Sequence, residues 1–474
     1  MVSKNDVTAQ PAPAHEARQH RWLTGLGTLA LMVGGGPVGA IEPEQILSYN
    51  IGKLAIQPQA DISAQFWGNL LYGAENPSPG GPVTVDREIN GQVVPVTFLT
   101  PPEAGVESDL LWYLSPGFEL QYGANPENSL SLGYFHDFIL YTENGDFNGN
   151  QDRVQFDARM ELGRFTVVGY NSVAWLDTIL GGSTAVVRRV PIRRQVWTDN
   201  YQITYDSSVK TDVYVVFNHS AVNYLEAVNL YNQATLRGTV GATYKPTERI
   251  GLFSEISGGH TDVSAASPLQ PPGEDSWVYG GFLGVRGTFT PRITGTVKVG
   301  YETRDFTGAD TQGDGGGPAV GVGLTYAPTQ RLLVKLDYNR FVGVSPQFAG
   351  QSTKNGVLSL SGTQQLGVTG RWAMVGRFGA SFGSFSTLSS TGTGVVDTPT
   401  GPQVVEFPVD YGRDDRTYTA SLGVQFQPRA WVTALFAYSF EKYETQFDDE
   451  YAALRTGLND YVLNRVILQV SVGY

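Results

Sequence analysis

The sequence predicts an all-β protein, and more narrowly a transmembrane antiparallel up-and-down β-barrel of about 18 strands, within a range of about 16 to 20. Apolar and polar residues alternate with period 2 through many segments, and short breaker clusters recur about every 40 residues. The segment "YVLNRVILQVSVGY", residues 461–474, keeps this alternation to its last residue. An apolar-faced strand at an open edge would pair with other chains, so we expect the sheet to close on itself.

Composition excludes several classes of protein. Only 16% of the residues are charged and 12% are aromatic, with 57 Gly and 24 Tyr, a balance that favours β-structure. Cysteine is absent, so neither a disulfide framework nor a thiolate metal site is possible. A net charge of -13 argues against binding nucleic acid or anionic lipid through bulk charge. We expect no cofactor.

Residues 1–40 have the pattern of a signal peptide. Arg18 and Arg21 precede the apolar run "WLTGLGTLALMVGGGPVGA", and Val38-Gly39-Ala40 supplies the small residues of a cleavage site. A short transmembrane anchor is the alternative, but the glycines and the missing stop-transfer flank argue against it. We therefore expect an exported protein with a periplasmic N-terminal segment at 41–59 and a barrel at 60–474.

Two kinds of connection alternate along the barrel region. Breaker clusters predict short turns, and between successive clusters lie two alternating segments of about 10 to 14 residues joined by a longer, Gly-rich connection. The clusters are "GANPEN" (123–128), "LGR" (162–164), "DSS" (206–208), "KPTER" (245–249), "TPR" (290–292), "APTQR" (327–331), "GTQQ" (362–365) and "QPR" (427–429). This order predicts short periplasmic turns and long extracellular loops.

The predicted strands are apolar on one face and charged on the other. Val154, Phe156 and Ala158, for example, share a face opposite Arg153 and Asp157. In a membrane barrel the apolar face meets lipid and the polar face lines the lumen. Eight side chains are assigned to the lumen wall on this basis: Arg153, Asp157, Arg159, Glu161, Arg237, Lys298, Lys335 and Asp337.

Aromatic residues favour a membrane barrel over a soluble sandwich. Six of them lie at the short-turn ends of strands, on or next to the apolar face: Tyr205, Tyr244, Phe289, Tyr326, Phe426 and Tyr474. Such a row is typical of a membrane interface.

Both ends of the barrel region resemble known membrane barrels. The last strand, which carries Leu468, Val470, Val472 and Tyr474 on one face, is similar to the assembly signal of bacterial outer-membrane barrels. Segments 51–73 and 108–144 resemble the start of the outer-membrane β-barrel porins of the porin 2 type, through Gly52, Pro58, Asn69, Asp109, Pro116 and Gly117. Trp67 and Gly68 replace the acidic pair usual in that family. The resemblance implies an outer-membrane location and a barrel fold.

The third external connection is the candidate pore constriction. Residues 176–195 hold Arg188, Arg189, Arg193 and Arg194 against a single acidic residue, Asp177. In porin-like barrels this connection often folds into the lumen, where guanidinium groups would offer fixed donors to carboxylate or phosphate. The alternative is a solvated surface loop whose charges bind nothing.

Two other external connections are distinctive. Residues 83–98 contain two strand-like runs around Asn90-Gly91, which predicts a hairpin above the barrel that either shields the mouth or receives a ligand. Residues 386–414 are low in charge and rich in Ser, Thr and Gly, which predicts a mobile loop.

Catalytic and metal sites find little support. His136, His219 and His260 lie near the external ends of strands, but Asp137 and Ser220 directly follow two of them and so point to the opposite face. The acidic stretches "ADTQGDGGG" (309–317) and "DDE" (448–450) lack the spacing of a calcium loop and are interpreted as solvated. We expect neither an enzyme nor a metal protein.

These patterns favour a passive diffusion channel for small hydrophilic solutes, and the arginines at 188–194 favour a preference for anions. The expected partners are outer-membrane lipid and lipopolysaccharide, the barrel assembly machinery and the solutes, but no nucleic acid. The alternative is a structural or export-associated barrel with a plugged lumen that binds a partner. The sequence leaves the oligomeric state and the substrate open.

Overall fold

The structure is a computed structural model of the 474-residue chain. It describes residues 49–69, 81–89, 92–100, 107–125, 128–179, 191–268, 270–308, 315–386, 389–398, 401–410, 412–448 and 460–473. The predicted signal peptide lies outside these ranges. One short 3-10 helix spans Gly145–Phe147. In the described part of the chain, no helix is long and apolar enough to cross a membrane.

Eighteen of the described strands form one ring. In ring order they are β2 (Leu54–Trp67), β5 (Asp109–Asn125), β6 (Asn128–Tyr141), β7 (Gly149–Leu162), β8 (Phe165–Thr178), β9 (Ile192–Ser208), β10 (Thr211–Tyr224), β11 (Tyr231–Tyr244), β12 (Ile250–Ala265), β13 (Ser276–Thr290), β14 (Ile293–Phe306), β15 (Gly315–Thr329), β16 (Leu332–Val344), β17 (Ser352–Leu366), β18 (Trp372–Phe385), β21 (Arg413–Arg429), β22 (Val432–Phe447) and β23 (Tyr461–Val472). The others are β1 (Tyr49–Ile51), β3 (Gly81–Ile89), β4 (Gln92–Thr100), β19 (Ser389–Thr398) and β20 (Gly401–Asp410).

The ring closes where β2 meets β23. The two strands pair antiparallel from Ala60 with Val472 to Trp67 with Arg465. Gly68 continues the seam, since its N–H donates to the carbonyl of Asn464 at 2.8 Å. Asn69 adds a side-chain bond from Nδ2 to the carbonyl of Val462 at 3.1 Å. The predicted closed, antiparallel up-and-down barrel of about 18 strands is confirmed, and it is the fold that the resemblance implies.

The outward face of the ring is apolar. Large apolar side chains are exposed on it, among them Leu283 at 67% and Leu422 at 58%. Cross-strand pairing keeps such residues together, as where Leu422 lies between Gly376 and Tyr438. A surface this apolar is suited to lipid rather than to water.

Aromatic side chains border this face at both ends. Phe165 and Tyr205 lie opposite each other at the short-turn end, with ring centroids 4.8 Å apart. Trp175 lies ten residues further along the strand of Phe165. Ten residues rise about 33 Å, or about 25 Å across a membrane at a tilt of about 40°, which matches the apolar band of an outer-membrane barrel. Tyr244, Tyr326 and Phe426 share this face, whereas Tyr474 lies outside the described residues.

Two predicted boundaries shift. Strand β17 continues through the "GTQQ" cluster to Leu366, and the turn follows at 367–371. There Gly367 and Gly370 adopt φ of 71° and 63°, a left-handed conformation that glycine adopts without strain. The first barrel strand begins at Leu54, inside the segment 41–59 that the sequence assigned to the periplasmic N-terminus.

Two hairpins lie outside the ring and form a second sheet. Strands β3 and β4 pair up to Ile89 with Gln92, which confirms the hairpin predicted around Asn90-Gly91. The segment 386–414, predicted as a loop, instead contains a hairpin, because β19 and β20 pair over their whole length; its mobility stays a prediction. Val395 also pairs with Thr97, which joins the hairpins in the order β20-β19-β4-β3.

Candidate functional site

The inward face of the ring is identified by side chains that meet across intervening strands. Tyr214 on β10 donates to Glu255 on β12 at 2.8 Å, and Arg237 on β11 reaches Glu302 on β14 at 2.5 Å. Such contacts require the concave side of a curved sheet, where side chains converge. The register places all eight predicted lumen residues on this face: Arg153, Asp157, Arg159, Glu161, Arg237, Lys298, Lys335 and Asp337.

One wall of the lumen, formed by β10 to β14, carries paired charges. Lys298 Nζ lies 2.9 Å from Glu255 Oε2. Arg286 lies 3.6 Å from Asp212 and stacks over the ring of Tyr214 with its Cζ 4.7 Å from the centroid. Because cations and carboxylates alternate along this wall, its charges largely compensate one another. This wall alone therefore does not decide whether the lumen favours anions or cations.

A loop between β16 and β17, residues 345–351, folds into the long-loop end of the barrel. The N–H of Ser345 donates to the carbonyl of Gln351 at 2.9 Å, which closes the loop. The Ser345 hydroxyl accepts bonds from the N–H groups of Gln347 and Phe348, at 3.3 and 3.2 Å. Ser345 and Gln351 are fully buried. The loop is thus a compact turn held by its own hydrogen bonds. We call residues 345–351 the crossing loop.

On one side the crossing loop is attached to β11. The N–H of Tyr231 donates to the carbonyl of Pro346 at 3.0 Å. The side-chain amide of Gln233 donates to the carbonyl of Ser345, also at 3.0 Å. Tyr231 and Gln233 both lie on the inward face of β11. Arg237 shares this face, because every second residue of a strand points to the same side.

On the other side the crossing loop contacts β21. Arg413 Nη1 donates to Gln347 Oε1 at 2.5 Å. Strands β11 and β21 stand eight steps apart around the ring of 18. Yet Pro346 and Gln347, which touch them, are consecutive residues with Cα atoms about 3.8 Å apart. Opposite walls are therefore bridged by one loop and two side chains, and the lumen is narrow at this level.

An apolar cluster narrows the same end from another side. Leu111, Ile139, Tyr443, Tyr461 and Leu463 are buried on the inward faces of β5, β6, β22 and β23. Ile179, which follows β8, packs into this cluster. Close-packed apolar side chains exclude water from the space that they fill. The long-loop end of the lumen is therefore narrowed both by this cluster and by the crossing loop.

The four predicted constriction arginines do not form one group in the described residues. Strand β9 begins at Ile192, so Arg193 and Arg194 are successive strand residues and point to opposite faces. Arg193 faces outward, with Nε 3.5 Å from Asp177 Oδ2 and 69% of its side chain exposed. Arg194 faces inward, and Arg188 and Arg189 lie outside the described residues. A constriction of arginines from this segment stays a prediction, without support at Arg193.

Each of the three barrel histidines lies beside a carboxylate on the outward face. Nδ1 of His136 is 2.8 Å from Asp152, and Nδ1 of His219 is 2.7 Å from Asp199. These partners belong to the neighbouring strands, which is why adjacency in sequence did not reveal them. His260 Nδ1 lies 3.3 Å from Asp262 on its own strand. All three pairs lie away from the lumen.

The predicted assembly residues take the expected face. Leu468, Val470 and Val472 all point outward from β23, and Leu468 is 54% exposed. A role in assembly stays a prediction for them and for Tyr474.

Comparisons with known proteins add little to this geometry. No family model and no curated protein matches the sequence. The fold is similar to the siderophore receptor PirA from Acinetobacter baumannii, at 8% identity and a TM-score of 0.40, over 88% of this chain and 80% of that one. It is also similar to OpdK from Pseudomonas aeruginosa, crystallised with vanillate. The identity is 9% and the TM-score 0.40, over 88% of this chain and 99% of that one. A third similar structure is OccAB3 from Acinetobacter baumannii, at 11% identity and a TM-score of 0.36, over 88% of this chain and 99% of that one. Such weak likeness carries no argument about function.

Proposed function

We propose that this protein is a passive diffusion channel of the bacterial outer membrane for small hydrophilic solutes, with a preference for anions, and that it is not an enzyme. The observation that carries the proposal is the polar inward face of a closed 18-strand ring, crossed at one level by residues 345–351. A polar wall holds water, and a narrow level limits the size of what passes.

The location is supported by the outward face. Its apolar band is bordered by aromatic residues at both ends, and a band of about 25 Å fits an outer membrane. The signal-peptide pattern at 1–40 agrees with export. In this orientation the short turns are periplasmic, and the crossing loop lies near the extracellular mouth.

The preference for anions is supported by arginines close to the narrow level. Arg413 contacts the crossing loop, and Arg194 points inward at the same end of the barrel. Guanidinium groups stay charged at every working pH and raise the local concentration of anions. Because ions screen such a field over about 8 Å at physiological salt, the preference should weaken as salt rises.

A second candidate function is a plugged barrel that binds a partner through its loops. The apolar cluster around Leu111 and Tyr443 favours it, because this cluster fills part of the mouth with closely packed side chains. In that case the crossing loop would complete the plug rather than define an aperture.

Conductance in planar bilayers decides between the two candidates. We expect the purified protein to conduct, and a variant with residues 346–350 replaced by Gly-Gly to conduct several times more. A variant with a shortened β3–β4 hairpin, which leaves the crossing loop intact, is the matched control and should conduct like the wild type. If wild type and loop variant both fail to conduct, the plugged barrel is the better description. A reversal potential of cationic sign in a salt gradient would contradict the preference for anions.

A further inference from the structure

Arg413 is held in an unusual way for a charged side chain in a barrel mouth. Its side chain is only 1% exposed. The guanidinium Cζ lies 4.1 Å from the ring centroid of Phe385 and 5.6 Å from that of Phe447. Two aromatic rings beside a planar cation fix the orientation of its plane. The donors of Arg413 therefore point in set directions.

Those donors are incompletely used. Nε lies 3.3 Å from Asp415 Oδ1, and Nη1 donates to Gln347 Oε1. Nη2 and Nε are both buried without a hydrogen-bond partner, and of these two donors Nη2 lies on the same edge of the guanidinium as Nη1. A buried donor without a partner costs about 1 to 3 kcal/mol, so such a group marks a place where an acceptor would be stabilising. The free donor lies beside the one that holds the crossing loop.

Gln347 supplies a neutral acceptor where a charged one would bind better. A carboxylate accepts two parallel bonds from the Nη1 and Nη2 edge of a guanidinium, whereas the single amide oxygen of Gln347 is bonded here to Nη1. Hydrogen bonds between ions are roughly twice as strong as neutral ones. A carboxylate that reaches Arg413 is therefore able to displace Gln347.

Displacement would leave the crossing loop attached on its other side. The bonds from Tyr231 and Gln233 to the loop carbonyls involve neither Gln347 nor Arg413. The loop also keeps its internal bond between Ser345 and Gln351. The base of the loop also stays in place, because Gln351 Nε2 donates to the carbonyl of Ser386, directly after β18, at 2.8 Å. Loss of the Arg413 contact would thus release the Gln347 side chain from β21 while the loop stays fixed at β11 and at its base, and the passage would widen beside β21.

We infer that Arg413 is a binding site for the carboxylate group of a solute and that the solute opens the passage by replacing Gln347 on this arginine. The inference rests on the proposed channel function and specifies its substrate class. A carboxylate accepts from both Nη1 and Nη2, whereas chloride is a single-point acceptor, so a carboxylate is favoured over chloride.

The experiment measures conductance at constant ionic strength while acetate replaces chloride. Acetamide, which has nearly the same shape as acetate but no charge, is the matched control ligand, and inorganic phosphate tests the alternative oxyanion. We expect acetate to raise the conductance to a plateau, acetamide to have no effect, and phosphate to act at higher concentration than acetate. No response to acetate, or an equal response to acetamide, would overturn the inference.

Two variants test the part played by Gln347. Gln347→Ala removes the acceptor, so the channel should conduct at its plateau without acetate and gain nothing from it. Gln347→Glu places a carboxylate on the loop itself, so about tenfold more acetate should be needed for half of the effect. A Gln347→Ala variant with wild-type conductance and a wild-type response to acetate would contradict the inference.

A second measurement separates failure of this inference from failure of the channel function. The chain contains no cysteine, so Ala349→Cys introduces a single thiol on the crossing loop. We expect acetate, but not acetamide, to accelerate its modification by a soluble thiol reagent several-fold. Acceleration without any conductance would support the binding site and contradict the channel, whereas conductance without acceleration would do the reverse.

Discussion

At the scale of the residue, the face on which a side chain lies decides which medium it meets. Leu422 points outward at mid-depth and Thr419 points inward opposite Glu441, three residues earlier on the same strand. Leu422→Arg should reduce the free energy of folding into lipid vesicles by about 2 to 4 kcal/mol, because it places a charge in hydrocarbon. Thr419→Arg, the matched control, should cost little. Equal penalties in urea titrations would show that the two faces are inverted.

Depth changes the size of this penalty. Val334 also points outward, but it lies opposite Tyr326 at the short-turn border of the apolar band. Near the interface, an arginine costs only about 0 to 1 kcal/mol because its long side chain reaches water. Val334→Arg should therefore be much milder than Leu422→Arg in the same titration.

Asp109 anchors an external connection through several hydrogen bonds. Its carboxylate accepts from the N–H groups of Thr142, Glu143 and Asn144 at 3.2, 3.1 and 3.0 Å, and the residue is 2% exposed. Asp109→Ala should destabilise the barrel by about 1 to 3 kcal/mol, because buried donors lose their acceptor. Amide hydrogens of residues 142–144 should then exchange faster. Unchanged exchange at these amides would contradict this role. The stability of Asp109→Asn should lie between that of the wild type and that of Asp109→Ala.

Alternation in the sequence predicts the face on which a side chain lies, but not what the side chain does. The inward placement of Arg153, Lys298 and Lys335 follows from period 2 once the strand is known. The same alternation places Arg193 on the outward face, because β9 begins at Ile192 and successive strand residues point to opposite faces. Cross-strand partners such as Asp152 for His136 depend on register, which a single strand does not encode.

At the scale of the element, the last strand completes the ring. Strand β23 pairs with β22 on one side and with β2 on the other. Tyr474→Asp should block assembly, because the alternation in the sequence predicts that Tyr474 continues the apolar face of the segment that closes the sheet. Ser471→Asp is the matched control, since Ser471 points inward opposite Asp61 and Thr433. Normal heat-modifiable mobility of Tyr474→Asp on a gel would contradict the prediction.

The two outer hairpins should be linked through one pair of positions. Val395 and Thr97 are direct partners across β19 and β4, and Thr97 is hydrogen-bonded to Thr84 at 2.7 Å. The double variant Thr97→Cys and Val395→Cys should form a disulfide under mild oxidation, visible as faster migration on a non-reducing gel. Thr97→Cys with Val404→Cys is the control and should remain reduced. A disulfide in the control alone would show that the hairpins pair differently.

The β19–β20 hairpin could have been found in the sequence. Val395-Val396 and Val404-Val405 stand on either side of "DTPTGP", which is two β-branched runs around a turn signal. The abundance of Ser, Thr and Gly concealed this local pattern. By contrast, β14 begins at Ile293 directly after the predicted "TPR" turn at 290–292.

At the scale of the whole molecule, the narrow level depends on contacts between distant parts of the chain. The crossing loop touches Tyr231 and Arg413, which are 182 positions apart in the numbering. "SPQFAGQ" has no charge and no motif, so alternation and composition gave no reason to place it inside the barrel. Closure of the ring was predictable because it follows from hydrogen bonding in lipid. Which loop turns inward was not, because that depends on side chains from opposite walls.

The seam between β2 and β23 also sets an order of events in time. Neighbouring strands elsewhere in the ring follow one another along the chain, so each hairpin adds to a growing sheet at a small cost in chain entropy. Ala60 and Val472 are 412 positions apart, so their pairing has the largest loop-closure cost in the ring, and we expect it to form after the strands between them. Until then β2 and β23 are open edges with apolar faces, the arrangement most prone to aggregate. The lifetime of that open sheet, rather than the stability of the finished ring, should limit how much protein survives its passage to the membrane.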